Sequence, residues 1–158
     1  MSAKPRVAIL YGSDSDRSTM EETARILDSL GIAHEMEQAS AHRNPDRVRD
    51  LVRSAPERGV VLFIAAAGMA NHLAGAVAAL TTLPVIGVPL GGSALGGVDA
   101  LYSTVQMPVG VPVATVAIGP TGAKNAAVLA AQILSLSDPA LRLKLEDMKK
   151  SLARGEKL

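Results

Sequence analysis

The sequence reads as a single α/β domain of 158 residues built on a parallel sheet covered on both faces. Two observations predict this. Short β-rich apolar runs alternate with helical patterns along the chain, a rhythm that requires right-handed crossovers. Runs such as VVLFIAAAG and PVIGVPL are apolar at almost every position, as strands buried on both faces are. No linker or internal repeat breaks the series.

The elements follow in order. RVAILYG (6–12) is the first strand, and a helix within 16–31 follows it, with Gly31 as C-cap. IAHEMEQAS (32–40) is the most polar strand and so belongs nearer an edge. Asn44 caps the second helix and Pro45 takes its first position. VVLFIAAAG (60–68) is the third strand, ANHLAGAVAALTT (70–82) the next helix, and PVIGVPL (84–90) the fourth strand. A Gly-rich loop leads to a short helix over 97–106, a fifth strand over 111–119 and an Ala-rich helix over 123–137. The core therefore spans 6–137, and a C-terminal helix over 138–154 opens with Asp138 and Pro139. Its Leu141, Leu145, Met148 and Leu152 fall on one stripe, which suits either the chain's own domain or a neighbouring subunit.

Composition excludes several function classes. Lys and Arg number 16 against 15 Asp and Glu, and aromatics are 2% of residues, so nothing selects or stacks on nucleic acid. There is no cysteine, hence no disulfide, thiolate chemistry or Cys-ligated zinc. The N-terminal apolar run is too short for a signal peptide, and the expected location is cytoplasmic. No Asp, Glu, Lys or Arg lies between Arg58 and Asp99, but Asn71, His72, Pro84 and Pro89 interrupt the stretch and argue against a membrane span. From Arg58 to Asp138 the only charged side chains are Asp99 and Lys124, too few to solvate a free monomer. Extensive burial between subunits is expected.

Ligands of open parallel sheets sit at the carboxyl ends of the strands. Here the first four strands end in GSDSD (12–16), SAHR (40–43), AAGMANH (66–72) and PLGGSALGG (89–97), all small, polar or Gly-rich. GSDSD has the hydroxyls and backbone N–H groups of a phosphate site, and Arg43 can supply the compensating charge. The same serines and aspartates also suit plain helix capping; the agreement of four loops favours a ligand site. There is no GxxxxGK[ST] or GxGxxG, and no lysine from position 5 to 123, so an ATP-phosphate lysine from these loops is excluded. His42 and His72 lack the spacing of a zinc pair. His34 reads as structural or solvated, and His72 suits capping or core hydrogen bonding as well as substrate contact. His42, between Ser40 and Arg43, is the best proton-transfer candidate, because imidazole titrates near neutral pH.

Taken together, GSDSD, SAHRNPDR, GMANHLAG, GVDALYSTVQMPVGVPVATVAIG and AKNAAVLAAQIL closely resemble the PurE family of purine biosynthesis. The resemblance covers about residues 6–137 and implies a three-layer flavodoxin-like fold with a five-stranded parallel sheet. It implies N5-carboxyaminoimidazole ribonucleotide mutase activity, with no cofactor, metal or ATP. It also implies a homo-oligomer, usually an octamer, in which the C-terminal helix packs on a neighbouring subunit. By position, His42 matches the catalytic histidine. Ser13, Asp16 and Arg43 match the ribonucleotide-binding residues, with Ser15 and Ser40 as helpers, and Gly68 and His72 are the further substrate-binding candidates. Mutases of the family commonly read GAGGAAHLPG where this chain has AAAGMANHLAG, so Met69, Asn71 and Ala74 depart from the pattern. Related carboxylases, which use free carbon dioxide, carry an asparagine near Asn71 but usually lack the histidine matching His72. A non-catalytic nucleotide- or flavin-binding module is the alternative from another class, and the scarcity of aromatics argues against flavin.

Overall fold

A computed structural model describes residues 6–158; residues 1–5, part of the N-terminal stretch considered above as a leader, lie outside it. Five parallel strands form one sheet in the order β2-β1-β3-β4-β5. They are β1 (Val7–Tyr11), β2 (His34–Gln38), β3 (Leu62–Gly68), β4 (Val85–Leu90) and β5 (Ala114–Thr115). The helices are α1 (Arg17–Leu30), α2 (Pro45–Arg58), α3 (His72–Ala78), α4 (Val98–Val105), α5 (Pro120–Ser135) and α6 (Pro139–Ala153). The polar strand β2 lies at an edge, as its composition required, and the apolar strands β1, β3 and β4 lie inside.

Side-chain alternation on the central strands divides the core in two. Val7 and Ile9 of β1, Leu62 and Ile64 of β3, and Ile86 and Val88 of β4 face α1, α5 and α6. Ala8 and Leu10 of β1 and Phe63 and Ala65 of β3 face Val48 and Val52 of α2 and Leu73 and Val77 of α3. The result is the three-layer α/β architecture.

Helix ends obey local chemistry. The Asn44 side chain accepts from Arg47 N at 3.1 Å, and Asp138 Oδ1 accepts from Leu141 N at 3.1 Å, each with Pro at the first helical position. Gly31 and Gly59 end α1 and α2 with positive φ.

Three boundaries differ from expectation. β5 is two residues long, paired only through Ile86↔Ala114 and Gly87↔Thr115, where a longer strand was expected. It is an edge strand interrupted at Pro112, which has no N–H to donate. α3 stops at Ala78, before the β-branched Thr81 and Thr82. α5 starts at Pro120, three residues earlier than the alanine run suggested, because Pro is favoured at a helix start. On α6, Leu141 and Leu145 are buried and Met148 partly buried against the chain's own core, so most of the apolar stripe is used within the subunit.

Candidate active site

The strand order reverses its direction of growth between β1 and β3, the place where such sheets open a crevice. A cavity of about 540 Å³ lies there. The loops after β1, β2, β3 and β4 all contribute to it, through Ser13, His42, Gly68 and Gly91 among others.

The β1 loop is held from within. Asp16 Oδ2 accepts from both the Ser13 N–H and the Ser13 hydroxyl at 3.0 Å. Ser15 and Ser13 hydroxyls lie 2.6 Å apart. Because the Ser13 proton points to Asp16, Ser15 donates in that pair. Asp16 Oδ1 takes no part in these bonds, and Asp16 lines the cavity. A 3-10 turn over Asp14–Asp16 then feeds α1.

Arg43 ties this loop to the next. Its Nη2 donates to the Gly12 carbonyl at 2.8 Å, and its Nε donates to the Ser40 hydroxyl at 3.3 Å. The same Ser40 oxygen accepts from the Arg43 N–H at 3.2 Å, which tightens the 40–43 turn. The guanidinium is therefore fixed at the rim with Nη1 outside these bonds, a fork suited to an anionic oxygen. Arg43 and the β1 loop form a hydroxyl-rich end that carries one guanidinium and the Asp16 carboxylate; His42 lies on the lining beside them.

The β3 loop brings the second histidine. The His42 and His72 rings lie 4.8 Å apart between centroids, tilted by 41°. Sequence reasoning offered both residues but could not place them together. His72 stands at the first position of α3, directly after an inverse γ-turn at Asn71 (φ −71°, ψ 69°), closed by His72 N–H to Ala70 O at 2.7 Å. Asn71 is fully buried. Its backbone N–H donates to the Ser103 hydroxyl at 2.8 Å and its Nδ2 to Val88 O at 3.2 Å. Its Oδ1 is buried with no hydrogen-bond partner among the described residues. Met69 has a φ of 53°, a conformation that costs an L side chain about 1–2 kcal/mol. Local rules are thus broken twice within three residues, next to His72.

Of the sequence candidates, Ser13, Ser15, Asp16, Ser40, His42, Arg43 and Gly68 all line the cavity, and His72 reaches it through His42. A Cβ on Gly68 would lie 3.1 Å from the Gly91 carbonyl, so the β3 and β4 loops meet closely there. His34 is elsewhere: its Nδ1 is 3.1 Å from Ile32 O and 3.8 Å from Asp28. Met69, Ala70, Gly91 and Gly92 are lining residues that the sequence reading did not single out as site residues. The only signal for the glycines was their position just after β4. Among the described residues, no group of three or more His, Asp or Glu could hold a metal ion.

Comparison with known proteins identifies the family. Residues 6–155 match the AIR carboxylase family. An Escherichia coli (strain K12) protein named N5-carboxyaminoimidazole ribonucleotide mutase is 52% identical over 146 residues, covering 92% of this chain and 86% of that protein. A Bacillus subtilis (strain 168) protein of the same name is 51% identical over 148 residues, covering 94% of this chain and 91% of its own length. A crystal structure of Treponema denticola PurE superposes with a TM-score of 0.86 at 33% identity, covering 96% of this chain and 93% of that one. The match runs through every loop of the cavity, and the chain belongs to the AIR carboxylase family.

Proposed function

We propose that this chain is an N5-carboxyaminoimidazole ribonucleotide mutase, an isomerase of purine biosynthesis that moves a carboxylate from N5 to C4 of the imidazole. The observation that carries the reading is one cavity that brings His42 beside the Arg43 guanidinium and the Ser13 and Ser15 hydroxyls, in a chain 50% and 52% identical over 150 and 146 residues to relatives named for that activity.

The residues divide the work by chemistry. Arg43, Ser13 and Ser15 hold the 5′-phosphate through charge-assisted and hydroxyl hydrogen bonds. Asp16 Oδ1 accepts from the ribose hydroxyls, while Oδ2 stays committed to Ser13. Ser40 fixes the Arg43 fork. Gly68 lets the backbone approach the substrate's imidazole closely, and His72 acts through the His42 ring it lies against.

With the ring so placed, His42 protonates N5 as the N5–carboxylate bond breaks. The freed carbon dioxide is attacked by C4, and His42 then takes the C4 proton and restores aromaticity. One proton is delivered and one recovered, so a single imidazole serves as acid and then base. The reading involves no cofactor. It places the enzyme in the cytoplasm, consistent with a chain in which no described helix is long and apolar enough to cross a membrane.

Assembly belongs to the same proposal. Leu95, Val98, Tyr102, Val105 and Val109 are exposed on and around α4, in the charge-poor part of the chain. Covering them in a homo-oligomer, an octamer by family resemblance, removes an apolar patch that a monomer would leave in water. Residues on α6 outside its buried stripe, such as Leu143, remain for a neighbouring subunit.

Replacing His42 with Asn tests the catalytic part. Calorimetry should show nucleotide binding retained, with turnover lost by at least about a hundredfold. Unchanged turnover would remove His42 from the mechanism.

A further inference from the structure

We infer that Ser103, on α4 and outside the cavity lining, is a positioning residue: it holds the backbone at Asn71 and so sets His72 against His42. This rests on the mutase reading and deepens it.

The turn before His72 does not hold itself. Met69 enters it with a φ of 53°, and strained backbone persists only where its surroundings fix it. Asn71 takes the N-cap position of α3, yet its side chain makes no capping hydrogen bond. Helix α3 therefore starts at His72 without the local bond that Asn44 gives α2. Its seven residues are too few for a helix to be stable by itself.

Two bonds from outside the loop take the place of that cap. Asn71 Nδ2 donates to Val88 O, and the Asn71 backbone N–H donates to Ser103 Oγ at 2.8 Å. The second is made by the backbone, so it is independent of the side chain at the position where this chain departs from the common mutase motif.

Ser103 is well arranged to accept it. Its one proton goes to the carbonyls of its own helix, with Oγ 2.9 Å from Asp99 O and 3.1 Å from Ala100 O. The lone pairs are left for Asn71, and a hydroxyl that donates is the better acceptor. Among the described residues Ser103 is the one partner of the Asn71 N–H, and Asn71 is fully buried. Loss of the hydroxyl leaves a buried donor unpaired, which the turn relieves by shifting. The residue carried with it is His72, whose ring lies 4.8 Å from His42. Arg43, Ser13 and Ser15 stand on other loops and keep their places.

The test compares the native chain with Ser103→Ala and Ser103→Thr on N5-carboxyaminoimidazole ribonucleotide. Threonine retains a hydroxyl able to bond the carbonyls one turn back in a helix. The readouts are steady-state rates, imidazole proton–nitrogen NMR spectra and mass by light scattering. Ser103→Ala is expected to lower kcat about tenfold with KM changed by less than about twofold, at native mass. The His42 and His72 ring signals should move with it. Ser103→Thr should restore both the rate and the spectrum. Native kcat and ring signals in Ser103→Ala would overturn the inference, as would equal losses in the two variants, which mark general damage to α4. A native chain that does not convert the substrate would overturn the mutase reading instead. Ring signals that move in Ser103→Ala and return in Ser103→Thr would still support Ser103 as the residue that holds the pair.

Discussion

His42 and Arg43 are adjacent in sequence and both line the cavity, but the proposed mechanism gives them different work, so their substitutions should separate in kinetics. Arg43→Ala removes a charged donor along with the bonds to Gly12 O and Ser40. We expect KM to rise by roughly tenfold or more with a smaller effect on kcat, read from steady-state rates, because phosphate binding is largely common to ground and transition states. His42→Asn should give the opposite split. These residues were legible because each lies within a few positions of a strand's carboxyl end, where topology alone puts ligands. Met69 was noticed in the sequence only as a departure from a motif. The sign of a φ angle is not written in a methionine, and nothing in GMANH announces that Asn71 turns inward to Val88. His42 and His72 were legible separately; their 4.8 Å approach depends on the β3 loop folding back through that turn.

Among the elements, α5 carries the tightest constraint. A Cβ on Gly122 would lie 1.6 Å from the Ala117 carbonyl oxygen, a backbone atom that cannot move without shifting the segment after β5. Gly122→Ala should therefore destabilise the fold by about 3 kcal/mol, measurable by urea denaturation. At α2, Asn44→Ala loses the cap on Arg47 N and should cost about 1 kcal/mol by the same measurement. Element type and order were legible because short continuous apolar runs, caps and first-turn prolines all agreed. Element length was less so. The apolar content of VPVATVAIG reads as a long strand, yet a strand needs a ladder as well as burial. Past Thr115, Val116 N still donates to Gly87 O and Gly119 N to Pro89 O, so the segment follows β4 without sustaining regular pairing. Helix α6 shows a second ambiguity: an amphipathic stripe states that a face is buried, not against which chain, and Leu141 and Leu145 are buried here within their own.

At the scale of the whole molecule, the apolar surface around α4 predicts an oligomer. Tyr102 is 63% exposed and Leu95 65% exposed in the single chain. Light scattering of the purified protein should return a mass several times the 16.3 kDa of one chain. A monomer would contradict the assembly proposed above. The sheet order, the four converging loops and the family membership all place the same cavity at the centre of the account. The measurement that tests it most directly is a side-by-side assay with two substrates. One reaction receives N5-carboxyaminoimidazole ribonucleotide, the other aminoimidazole ribonucleotide with carbon dioxide supplied from bicarbonate. The account predicts rapid conversion of the first and little of the second. Efficient carboxylation of the second, with poor use of the first, would contradict it.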